Sequence, residues 1–177
     1  MTDTTTNRGD ICVVAPTVRN PEFIEGYVEN AREHDVDTDR LHVVLVTEDF
    51  CEKDAMRTML DDLGVTGAVF GGAERDDWYD QAGIAEFSDV VPAASHAETS
   101  FGLLYAWAHP EFETIVFLDD DTQPHEEFDF FGDHLDRLGT TTTVEHVASD
   151  EQWVNVLYQN VEEHGLYPRG YPYSAMG

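Results

Sequence analysis

The sequence predicts an α/β fold, a mostly parallel sheet with helices on both faces. Two observations carry that prediction. Short continuous apolar runs recur along the chain, each long enough for a buried strand and too short for a helix. Between them lie segments whose apolar residues repeat at helical spacing, and strands alternating with helices imply parallel pairing through crossovers.

The first run, residues 11–15 (ICVVA), ends at Pro16 and reads as a buried strand. A helix follows, with Asn20 suited to cap it, Pro21 to its first position, and Phe23, Ile24, Tyr27, Val28 and Ala31 on one face. The pattern repeats: a strand over 41–47, a helix carrying Met56, Met59, Leu60 and Leu63, and a strand over 65–70. From 71 to 92 the periodicity fades into a Gly- and Asp-rich stretch, expected as an active-site loop with a short helical piece. Ser95-His96-Ala97-Glu98 has the form of a capping box and opens a helix through Ala108, with Phe101, Leu104 and Tyr105 inward. A strand over 114–118 leads into three aspartates. A helix over about 126–138 is expected to end at Gly139, followed by a strand over 154–158 and a turn-rich ending over 167–177.

The chain has 177 residues, the size of one domain with its own core; a flexible tail over 1–10 and a single domain over 11–177 are expected. Its 37 acidic and 9 basic residues give a net charge of −28, and Lys53 is the sole lysine. Nucleic-acid binding is excluded on that balance, since no basic patch can be assembled to neutralise phosphates. Because the acids are dispersed along the chain, they point to adaptation to molar salt, where screening over about 3 Å makes self-repulsion tolerable. Cys12 and Cys51 lack metal-site or disulfide spacing. With no apolar run of about 18 residues and no secretory signal pattern, the expectation is a cytoplasmic, not transmembrane, protein.

Asp119-Asp120-Asp121 follows a buried strand, and carboxylates gathered so closely raise one another's pKa unless a cation neutralises them. Oxygen-only ligands select Mn²⁺ or Mg²⁺, whose open positions phosphate oxygens fill. A solvated acidic loop is the alternative; position after a strand favours the cation. Asp121 is expected as a direct ligand, Asp119 as a contact to ribose or metal, and Asp120 as an orienting group. Where the first strand meets the first helix, Pro16, Thr17, Arg19 and Asn20 offer backbone N–H groups, a hydroxyl and a guanidinium to a nucleotide, or form a simple strand–helix turn. Glu48 and Asp49 end the second strand and read either as acceptors for a base or ribose or as two surface acids. Phosphate-loop, dinucleotide, nucleophile-elbow and zinc-protease motifs are absent from the sequence.

The segments ICVVAPTVRNPEF, ERDDW, SFGLLYAW with TIVFLDDD, and LYPRGYPYS occur in this order from Ile11 to Ser174. In this combination the chain resembles the reversibly glycosylated polypeptide family, also called UDP-arabinopyranose mutases. The resemblance implies a glycosyltransferase-A-like domain, of the nucleotide-diphospho-sugar transferase type, and a divalent metal at Asp119, Asp120 and Asp121. It adds Arg75 and Asp76 of ERDDW to the nucleotide-sugar-binding set of Pro16, Thr17, Arg19, Asn20, Glu48, Asp49 and Asp119. It also implies reversible glycosylation of Arg169 during pyranose–furanose interconversion. Ala94 and Thr99 depart from it, standing where that family carries basic residues.

The function expected is therefore transfer of a glycosyl group from a UDP-sugar or other nucleotide-diphospho-sugar, as a mutase or self-glycosylating protein. A glycosyltransferase acting on an external acceptor in surface glycan synthesis, and a non-catalytic sugar-nucleotide-binding subunit, are the alternatives. Homo- and hetero-oligomers are both compatible with the sequence.

Overall fold

A computed structural model describes residues 10–92 and 97–138, together with 140, 141, 143, 172 and 174. Ala94, Ser95, Gly139, the strand expected over 154–158 and Arg169 lie outside the described residues. The chain divides into two units, Met1–Gly139 and Thr140–Gly177, and every described helix and strand belongs to the first.

Four strands, β1 (Ile11–Pro16), β2 (Leu41–Val46), β3 (Thr66–Phe70) and β4 (Thr114–Phe117), form one sheet in the order β3-β2-β1-β4. Every pair is parallel; Val13 stands opposite Val43 on one side and Val116 on the other. Among the described residues five α-helices accompany them: α1 (Phe23–Glu33), α2 (Lys53–Asp62), α3 (Gly72–Gln81), α4 (Glu98–Trp107) and α5 (Phe130–Leu135).

Side-chain alternation along the strands divides the core in two. Ile11, Val13 and Ala15 of β1, with Leu41, Val43 and Leu45 of β2, pack with residues of α1, α2 and α5. Cys12, Val14, Val44 and Val46 point the other way, to Tyr79 of α3 and to Phe101, Tyr105 and Ala106 of α4. Helices thus cover both faces, and the inner strands are buried because both of their faces are packed. Gly102 lets α4 lie close against the sheet: a Cβ there would stand 2.4 Å from Val14 Cγ1. Among the described residues, no helix is long and apolar enough to cross a membrane.

Three expectations are corrected. Asn20 does not cap α1; the helix starts at Phe23 after Glu22, and the Asn20 amide instead donates to Glu22 Oε1 at 2.9 Å. The stretch over 71–92 is not mainly loop, for it holds the ten-residue α3 and a 3₁₀ turn at Ala85–Val90. Its pattern misled because Arg75, 4% exposed, fills an inward position where an apolar residue is the usual signal. Finally, α5 is shorter than 126–138, because Asp129 caps it by accepting the Gly132 N–H at 2.8 Å.

Candidate functional site

In this sheet the chain runs outward from β1 to β2 and β3, then returns to place β4 on the other side of β1. The reversal leaves a crevice at the carboxyl ends of β1 and β4, the place where open α/β sheets bind ligands. A cavity of about 660 Å³ lies there. Pro16, Thr17 and Val18 reach it from the end of β1, Glu48 from β2, Asp119 and Asp120 from β4, and Glu98 and Thr99 from the start of α4.

Thr17 is the joint between the two sides. Buried, it donates its N–H to Val46 O at 2.9 Å, which continues the β1–β2 ladder past Pro16. Its hydroxyl accepts the Arg19 N–H at 3.0 Å and donates to Asp120 Oδ2 at 2.9 Å. The Arg19 guanidinium, 69% exposed, stands 4.0 Å from the same oxygen. The turn bearing the aspartates is fixed from beneath: Thr122 Oγ1 donates to Asp119 O at 2.7 Å and receives the Tyr27 hydroxyl at 3.0 Å. Gln123 Oε1 lies over Gly26 of α1, where a Cβ would displace it.

These contacts sort the three aspartates. Asp120 is held by Thr17 and Arg19. Asp119 and Asp121 are exposed on either side of it; Asp119 reaches the cavity, and Asp121 is not among its lining residues. Among the described residues, no group of three or more His, Cys, Asp or Glu side chains is arranged to hold a metal by itself. One or two carboxylate oxygens beside an open cavity do fit Mg²⁺ or Mn²⁺, which take few protein ligands and complete their shell with water and phosphate.

The cavity wall also carries the expected Glu48 and, beside the start of α4, Glu98, which the sequence did not announce. Glu98 is 8% exposed and accepts from Arg75 Nη1 at 3.1 Å; Arg75 Nη2 donates to Val91 O at 2.6 Å, and the guanidinium lies over the Phe101 ring at 5.2 Å. Glu48 lines the same cavity as Glu98. Burial, and next the neighbouring Glu98 charge, push the Glu48 carboxyl above the usual range, against a smaller pull from Arg75. The available signal was spacing: Glu98, Phe101, Gly102 and Tyr105 form one inward stripe of α4, so the acid that looked like half of a capping box faces the core.

The other sequence candidates sit elsewhere. Asn20 and Arg19 are exposed and do not line the cavity. Asp49, Arg75 and Asp76 border a second concavity of about 550 Å³, between α3 and the 3₁₀ turn at Ala85–Val90. Asp49 serves the fold there, accepting from Lys53 Nζ at 2.9 Å and from the Ala73 N–H at 3.4 Å, at the amino end of α3. The Lys53 hydrogen bond and then the Ala73 N–H hold its carboxyl below the ordinary value. Lys53 also pairs with Glu74 at 2.9 Å, which receives Arg57 at 3.0 Å, so the lone lysine ties α2 to α3. Thr99 lines the cavity where the resemblance leads one to look for a cation, and brings only a hydroxyl. Comparison with known protein families and with curated proteins gives no match for this chain.

Proposed function

We propose that the cavity binds a nucleotide-diphospho-sugar with Mn²⁺ or Mg²⁺, in a glycosyltransferase-A-like domain that transfers the glycosyl group. The observation that supports this most is the position of Asp119 and Asp120: at the switch point, tied to the β1 turn through Thr17. The resemblance to the UDP-arabinopyranose mutases supports the same reading independently of the geometry.

The wall is acidic, with Glu48, Glu98, Asp119 and Asp120 all at the cavity. A diphosphate entering it alone meets like charge, so binding should require the cation. In this reading Asp119, which lines the cavity, and the exposed Asp121 next to the occupied Asp120 would hold the cation, and Asp120 keeps the turn in place. A cation held there would supply charge neutralisation for the departing diphosphate. Arg19, exposed beside Asp120, offers a cation near the aspartate turn to an approaching anion.

Arg169, outside the described residues, is the proposed acceptor. A guanidine nitrogen forms a bond to the anomeric carbon as the bond to diphosphate oxygen breaks, and the guanidinium proton passes to a carboxylate. Intact-mass spectrometry after incubation with UDP-sugars and Mn²⁺ in high KCl tests this. A pentose or hexose adduct in the wild type that is lost in Arg169→Lys and Arg169→Ala is the expected result. An adduct persisting in Arg169→Ala excludes that arginine, and transfer only to an added acceptor favours the external-acceptor reading.

A further inference from the structure

We propose that Glu98, with Arg75 as its positioning residue, reads hydroxyl groups of the bound ligand, so that the cavity selects a ribose or sugar carrying its full set of hydroxyls. The proposal rests on the reading of this cavity as a nucleotide-sugar site, and it names the part of that ligand which the start of α4 recognises.

Burial is the first ground. Among the described residues, Arg75 and Glu98 are the only Asp, Glu, Lys or Arg that are buried, at 4% and 8% exposure. Such side chains are almost never buried unless paired, and here the pairing is direct: Arg75 Nη1 donates to Glu98 Oε1 at 3.1 Å. An apolar pair would serve the core as well, because desolvation of two charges offsets most of their attraction. Placement gives this pair a use. Glu98 lines the cavity, whereas Arg75 is not among its lining residues and reaches it through Glu98.

The second ground is how firmly the carboxylate is held. The same guanidinium donates through Nη2 to Val91 O at 2.6 Å and lies over the Phe101 ring at 5.2 Å. One planar fork from α3 therefore fixes Glu98 against both the chain before α4 and the body of α4 itself. An acceptor so fixed loses little freedom when a ligand meets it.

Chemistry supplies the third ground. The cavity is lined by Glu48, Glu98, Asp119 and Asp120, by the Thr17 and Thr99 hydroxyls, and by neither Lys nor Arg. A carboxylate accepts and does not donate, and it has more acceptor positions than one guanidinium N–H fills. Toward a phosphate it is repulsive. Toward an O–H it makes a short, charge-assisted hydrogen bond, the chemistry by which an acid reads ribose in dinucleotide-binding sheets. The hydroxyls of ribose and of the sugar are the uncharged donors that a nucleotide-diphospho-sugar offers in number.

Calorimetry in molar KCl with Mn²⁺ tests this by comparing UDP with 2′-deoxy-UDP and 3′-deoxy-UDP, and UDP-glucose with its singly deoxygenated sugar analogues. The wild type should bind at least one deoxy ligand about 10- to 100-fold more weakly than its parent, and the ligand that suffers identifies ribose or sugar as the source. Glu98→Gln keeps an acceptor for Arg75 and replaces the other oxygen with an N–H donor, so it should bring that ratio close to one. If Glu98→Gln does not fold, the double variant with Arg75→Met removes both buried charges together and serves the same comparison. Arg75→Lys keeps the charge without the fork that reaches Glu98 and Val91 at once, and should weaken the parent ligand more than the deoxy ligand. Equal weakening of the two would make Arg75 a structural residue only and overturn its positioning role. Equal affinities across the wild-type series overturn the whole proposal, as does a preference that survives in Glu98→Gln. A wild type that binds neither UDP nor UDP-glucose is a separate result, which sinks the nucleotide reading and the hydroxyl role with it.

Discussion

Asp49 and Glu48 are adjacent acids at the end of β2, and the fold gives them opposite roles. Asp49 turns toward Lys53 and the first turn of α3, whereas Glu48 lines the cavity. Because the Asp49 pKa is lowered in the fold, its contribution is fully present above the unfolded value of about 3.9 and fades as pH falls through the lower folded value. The Asp49 side chain is 62% exposed, so solvent and salt screen the pair to within about 1 kcal/mol. Asp49→Asn should therefore lower the melting temperature slightly at pH ~6, and the loss should shrink as the pH falls through and below the unfolded value. Equal destabilisation across that range would show that packing against α3, and not the charge, is what the substitution removes. Nothing in the sequence separates these neighbours, since direction at a strand end depends on the elements that follow.

The elements most legible in the sequence are those whose burial follows a simple period. The four strands among the described residues appear where four of the five expected runs place them, the run over 154–158 lying outside those residues, and α1 buries the five apolar residues its spacing selects. The elements read poorly are those held by polar groups. Arg75 gives α3 a charged inward position, Glu74 accepts the Gly71 N–H at 3.1 Å at its start, and Asp49 anchors the same end, so no apolar stripe advertises the helix. The candidate site divides in the same way. Asp119, Asp120 and Thr17 could be inferred from their position after strands, whereas Glu98, and the inward placement of Arg75 against it, required knowledge of which helix face meets the sheet. The closeness of α4 to the sheet gives a prediction at this scale. Gly102→Ala places a methyl 2.4 Å from Val14 Cγ1 and 3.0 Å from Val46 Cγ2, both in the packed core. The overpacking should cost about 1–3 kcal/mol in denaturant unfolding. A variant as stable as the wild type would mean that α4 moves freely enough to absorb it, and that the positions of Glu98 and Thr99 are correspondingly loose.

For the whole molecule, the net charge of −28 outweighs any single contact. Self-repulsion among surface carboxylates falls as the screening length shortens from about 10 Å at 0.1 M to about 3 Å at 1 M salt. The melting temperature should rise from low to molar KCl, and a flat or falling trend would remove the case for salt adaptation. The same field makes the cavity hostile to anions, which is why the proposed ligand and the cation must arrive together. Titration calorimetry with UDP in molar KCl, with and without Mn²⁺, tests this most directly. The wild type should bind only when Mn²⁺ is present, and Asp121→Ala should not bind at all while keeping an unchanged far-UV circular dichroism spectrum. Binding without the cation, binding retained undiminished in Asp121→Ala, or no binding by the wild type under either condition would contradict a cation-dependent nucleotide site.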